Sequence, residues 1–150
     1  MSSSDPRNLS LWIARHSLFV WLGILLNLFF VFGLLFAPAW LLDLFNIPPD
    51  PALWPQFAGL LLFIVTLYYI PATIDLARYR VNAWLAIFPS RAGGATFFFL
   101  AVFVFDQPPG FIVAILVDGL IGLATLICLL RVTALERARD LAGAWIGDAS

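Results

Sequence analysis

Residues 17 to 36 read SLFVWLGILLNLFFVFGLLF, from Ser17 to Phe36 without one charged side chain. At a helical rise of about 1.5 Å per residue, a stretch of about 20 apolar residues covers the roughly 30 Å of a bilayer's hydrocarbon core. The stretch therefore reads as a membrane span. It is also longer than the roughly 7–15 apolar residues of a secretory signal. Although Ala37-Pro38-Ala39 imitates a cleavage site, the segment is expected to stay in the protein as a first span.

Three more stretches of the same kind follow. Each needs about 20 residues; they are placed at roughly 56–75, 86–105 and 111–130. The third contains Arg91 and the fourth Asp118. The fold class expected is all-α: a four-helix transmembrane bundle with short interfacial helices. One integral membrane domain would occupy residues 1–150, leaving no length for a separate soluble domain. All eight basic residues are arginines: Arg7, Arg15, Arg78, Arg80, Arg91, Arg131, Arg137 and Arg139. The segments after the first and third spans hold none of them. Arginine gathered on one side of the bilayer marks the cytoplasmic face. Both termini are accordingly expected in the cytoplasm, with the chain in a bacterial inner (plasma) membrane. A net charge of −1 with no dense basic patch argues against nucleic-acid binding.

The connections carry their own signals. Asp5-Pro6 suits a helix start, with Asp as cap and Pro in the first turn. Pro38 should end or bend the first span. Trp40, Leu41, Leu44 and Phe45 recur at helical spacing, which suggests a short interfacial helix within 39–55. The run Ile47-Pro48-Pro49-Asp50-Pro51 cannot be helix interior, and Trp40, Trp54 and Phe111 would form an aromatic belt. A kink is expected at Pro71. Residues 81–90 form either an interfacial segment or the first turns of a broken third span. Asp106 to Gly110 is a tight turn. Residues 131–146 read as an amphipathic cytoplasmic helix, with Val132, Leu135, Ala138, Ala142 and Trp145 on one face.

Ionisable side chains within spans are costly, and each is a functional hypothesis. Counted along the helices, Asp75 lies roughly 28 Å and Arg91 roughly 21 Å from the outer face. Side chains lean toward the N-terminus of their own helix. The two antiparallel spans thus aim these groups at each other, and a structural Asp75–Arg91 ion pair is expected. Asn27, Thr66, Thr96 and Asp118 all lie about 13–15 Å deep on the same count. They make a possible intramembrane polar site, or simply a layer of polar contacts that sets helix register. Gly23, Gly33, Gly93, Gly94, Gly119 and Gly122 permit close helix approach.

Much is missing. His16 is the sole histidine, Cys128 the sole cysteine and Glu136 the sole glutamate. No bis-histidine haem, Glu-x-x-His di-iron pair, metal cluster or nucleotide loop can be assembled from these. No cofactor, metal or catalytic residue is expected, and an enzyme with its own redox or hydrolytic centre is disfavoured. His16 reads as an interfacial residue, and Cys128 as a small apolar filler.

The series Tyr69-x-Pro71-x₃-Asp75-x₂-Arg78-x-Arg80, followed by Arg91-x₂-Gly94, resembles small four-span bacterial membrane proteins of the broad DoxX-like kind. The resemblance covers spans two and three and implies the four-helix architecture. Two functions fit the residues. The favoured one is a structural or accessory subunit packing against a larger membrane complex, with membrane lipids, other membrane subunits or a second copy as partners. The alternative is a small membrane protein that binds or transports an apolar ligand, a lipid or quinone, between its helices.

Overall fold

A computed structural model describes residues 6–48 and 51–147; Asp5, Pro49 and Asp50 lie outside them. Among the described residues the secondary structure is helical throughout. Helix α1 runs Pro6–Phe36 and α2 Pro38–Leu44. Helices α3, Leu53–Leu67, and α4, Ile70–Ile74, make one interrupted rod. Helix α5, Arg80–Leu85, passes through a π-helical stretch, Ala86–Ala92, into α6, Gly93–Phe103. A 3₁₀ turn, Pro109–Phe111, leads into α7, Ile112–Gly147. Four segments are long and apolar enough to cross a membrane: Arg7–Phe36, Leu53–Ile74, Arg80–Phe103 and Pro109–Ala142.

Prolines place the interruptions. Pro38 opens α2 after Ala37 leaves helical geometry at φ −141°. The break in span two falls at Tyr68 and Tyr69, ahead of Pro71. A proline cannot bond the carbonyl four residues back, and its ring crowds that carbonyl. For Pro71 that residue is Leu67, the last of α3. Pro89 meets the same constraint differently. The helix widens, and the Gly93 N–H reaches the Phe88 carbonyl five residues back. The widened turn admits the proline without a break, so residues 81–90 are the start of span three. At the arginine-free end Asn46 and Asp106 take left-handed conformations (φ 54° and 53°), which their short polar side chains tolerate. There Gly110 lies so close to the Phe45 carbonyl that no side chain fits.

The helices pack in the spatial order two, one, four, three. Helix α1 is flanked by α3 and α7, and α7 carries α6 and the π-helical stretch on its far side. Helices α3 and α6 hardly touch. Along α1 the buried positions His16, Val20, Gly23, Ile24, Asn27 and Val31 recur every three or four residues. This is one helix face. The partner face on α7 holds Ile121, Gly122, Thr125, Cys128, Leu129 and Val132. The spans converge at the arginine-rich end, where Ala72, Leu76, Ala83, Ile87, Leu129 and Val132 form an apolar core with Leu9, Trp12 and Trp84 against it. An Arg80–Glu136 ion pair at 2.6 Å ties α5 to α7 there.

Helix α7 is one rod of 36 residues, with no joint at the expected start of a cytoplasmic helix. At about 1.5 Å per residue it is roughly 54 Å long, well beyond the hydrocarbon core. Of the expected amphipathic face, Val132 is buried and Leu135 half-buried, whereas Ala138 and Ala142 are exposed; the side chain of Trp145 is outside the described set. His16 corrects another expectation. It is 1% exposed, not interfacial, and both its ring nitrogens lack a hydrogen-bond partner among the described residues. The reason is that α1 and α7 stay paired past the apolar stretch, so a residue at its edge is still covered. Trp40 and Trp54 are exposed at the opposite end, as a belt requires.

The glycines give a direct test of this packing. A Cβ on Gly59 would lie 2.9 Å from Leu34 Cβ and 3.3 Å from the Leu35 backbone nitrogen, whereas one on Gly119 would meet nothing within 4 Å. Gly119→Ala should therefore stabilise the fold by about 0.5–1 kcal/mol, the usual helix-interior gain. Gly59→Ala should lower stability. Thermal unfolding in mild detergent measures both, and equal shifts of one sign would contradict the α1–α3 contact.

Candidate intramembrane polar site

Arg91 lies on the π-helical stretch and is 3% exposed. A guanidinium keeps its proton at any accessible pH, so burying it in lipid demands an acceptor. That acceptor is Asp118 on α7: Arg91 Nη1 donates to Asp118 Oδ1 at 2.9 Å. The expected partner, Asp75, is elsewhere. Asp75 leaves helical geometry at φ −142°, is exposed, and its Oδ1 accepts the Arg78 backbone N–H at 3.0 Å. The expectation failed because it assumed that the helix of span two continues through Asp75. That helix ends at Ile74, the extended backbone at Asp75 leaves its side chain exposed, and Arg91 pairs across the seam with α7 instead.

Three glycines hold the space for this pair. A Cβ on Gly23 would collide with the Arg91 Nη2 and lie 2.9 Å from its Cζ. One on Gly122 would lie 3.2 Å from Arg91 Cβ, and one on Gly94 2.7 Å from Asp118 Oδ2. Close helix approach is thus only part of their role: they form a slot for a charged pair between spans one, three and four. The fit is tight enough that Arg91 Nη2 is buried without a hydrogen-bond partner among the described residues.

Tyr69 closes the slot on the span-two side. It is 3% exposed, and the Arg91 Cζ lies 5.4 Å from its ring centroid, within cation–π range. Its hydroxyl is hydrogen-bonded to that of Ser90, and its backbone N–H donates to the Thr66 carbonyl at 3.1 Å. Asn27 Nδ2 donates to Thr66 Oγ1 at 3.0 Å, and Thr66 Oγ1 donates to the Leu62 carbonyl at 2.6 Å. Three of the four expected layer residues therefore belong to one connected region: Asn27 and Thr66 directly, Asp118 through Arg91 and Tyr69. Thr96 does not. It is exposed on the opposite face of α6. Buried Thr125, which a depth count alone does not single out, bonds within its own helix to the Ile121 carbonyl at 2.8 Å.

Beside this cluster a cleft of about 550 Å³ opens between spans two and three, lined by Val65, Tyr68, Tyr69, Asn82, Leu85, Ala86, Pro89 and Ser90. It exists because those spans diverge from their shared core. Its volume is of the order that holds a small ligand. Asn82 Nδ2 donates to the Tyr68 carbonyl at 3.1 Å across its mouth. Tyr69, Ser90 and Asn82 carry no motif of their own; only their closeness to Pro71 and Arg91 marks them in the sequence.

The fold suits an integral membrane protein, and its polar site is a neutral-sum charge pair beside a lateral cleft. No family model, curated protein or solved structure matches the chain.

Removing one partner of a buried pair costs about 3–5 kcal/mol when it strands the other charge. The two sides differ, because a carboxyl can take up a proton and a guanidinium cannot. Asp118→Asn should therefore destabilise more than Arg91→Met in reversible unfolding from bilayers or detergent. Equal losses, or the reverse order, would show that Arg91 has another acceptor. Gly23→Ala should also destabilise, and much less in an Arg91→Met background, where the collision is gone.

Proposed function

We propose that this protein binds an apolar ligand between its helices within a bacterial inner membrane, its arginine-bearing ends in the cytoplasm. The observation that carries this is the cleft between spans two and three. It offers apolar walls for a chain and the Tyr69–Ser90 hydroxyl pair as a polar stop. The buried Arg91–Asp118 pair fixes the ring of Tyr69, and so the shape of the cleft. The DoxX-like resemblance adds the four-span topology.

The accessory-subunit reading has its own support. Phe29, Phe32, Phe36, Phe97, Phe99, Phe103 and Phe105 are all exposed, a surface that suits lipid or another membrane protein. The cleft weighs more, because lipid contact alone explains exposed phenylalanines, whereas polar groups facing a gap need partners.

Extraction in gentle detergent followed by native mass spectrometry separates the two readings. A stoichiometric small apolar molecule, lost on Tyr69→Ala, is expected. Stoichiometric co-purification of other membrane proteins with no such molecule would favour the accessory subunit. For orientation, a reporter fused after Gln107 should be found outside the cytoplasm; a cytoplasmic signal would overturn the topology.

A further inference from the structure

The lining of the cleft specifies more than an apolar occupant. None of its residues is charged. Of the arginines close in sequence to the lining, Arg91 is held by Asp118 behind the Tyr69 ring and Arg80 is held by Glu136. The hydroxyls of Tyr69 and Ser90 share one hydrogen bond that either can donate; with Tyr69 as the donor, the Ser90 O–H is left for the cleft. Asn82 uses Nδ2 on the Tyr68 carbonyl, which leaves its amide oxygen free to accept. A head that both accepts and donates fits this pair of groups, and an alcohol does both.

We infer that the cleft takes a lipid-like molecule with an uncharged, hydroxyl-bearing head, of the acylglycerol or prenol kind. This rests on the ligand-binding reading above and adds the class of head group. An anionic head seated on the Tyr69–Ser90 floor would meet no charged lining residue, and Arg91 is already neutralised by Asp118; a charge buried so is strongly disfavoured. A transmembrane helix of a partner is too large. At roughly 10 Å across and 30 Å long it needs on the order of 2,000 Å³, against about 550 Å³ available. The position also suits a lipid. Val65 and Leu85 give the cleft apolar walls along which an acyl chain can lie.

The test uses the full chain in phosphatidylcholine nanodiscs and two photoreactive probes with the same acyl chain, a monoacylglycerol and a lysophosphatidate. The monoacylglycerol should label cleft residues saturably and about tenfold more tightly than the lysophosphatidate, the worth of about one good hydrogen bond or more. Ser90→Ala should weaken it about tenfold. Phe36→Ala, far from the cleft on an exposed position of α1, should not change it. Equal or stronger cleft labelling by the lysophosphatidate would overturn the head-group inference and leave ligand binding standing. Labelling indifferent to Ser90→Ala would overturn the role of the polar floor. Absence of cleft labelling by either probe would overturn both the inference and the ligand-binding reading.

Discussion

A guanidinium that cannot shed its proton has been placed where there is no water to solvate it. Arg91 is the constraint around which the middle of this molecule is arranged. Its acceptor must be a neighbouring carboxylate, and Asp118 supplies it across the seam between spans three and four. The pair needs room between helices, and Gly23, Gly94 and Gly122 provide it. It needs an irregular backbone to aim the side chain, and the π-helical turn forced by Pro89 provides that. These features occur together because each is costly alone. A glycine lowers helix stability, a proline removes a bond, and an unpaired charge in lipid costs several kcal/mol.

The same arrangement produces the cleft. Span three is drawn against span four, and span two is held against span one by the Asn27–Thr66 bond and by Gly59 beneath Leu34. Spans two and three then share a core only at the arginine-rich end. Above it they separate, and the gap is floored by the residues that shield the charge pair. Tyr69 faces both ways: its ring meets Arg91, and its hydroxyl meets Ser90 at the cleft. Structure and proposed binding thus depend on one side chain.

The spans were legible in the sequence because crossing lipid requires long uncharged runs, and segments such as residues 17–36 have no other reading. That Asn27 and Thr66 meet at one level was legible too, since helical rise converts residue number to height along antiparallel spans. The azimuth of a residue and the order of helices in space were not. Depth alone put Thr96 in the layer, although it faces outward, and put Asp75 beside Arg91, although Asp75 is exposed and turned away from it. Asp75 also lay past the true end of its helix, which Pro71 had already broken. The glycines were recognised as permitting approach, but which groups they admit depends on which faces meet. His16 was misread because the length over which α1 and α7 stay paired cannot be seen in either stretch alone. The Arg80–Glu136 pair had no spacing to announce it, since its residues are brought together only by the return of α7 past α5.

The most direct measurement is a double-mutant cycle on Arg91 and Asp118, using Arg91→Met, Asp118→Asn and the combined variant, with reversible unfolding in bilayers as the readout. A close charge pair of this geometry should couple by about 1.5 kcal/mol or more, so the combined variant would be markedly more stable than the sum of the single losses implies. Losses that add to within about 0.5 kcal/mol would mean that the two side chains do not act as a pair.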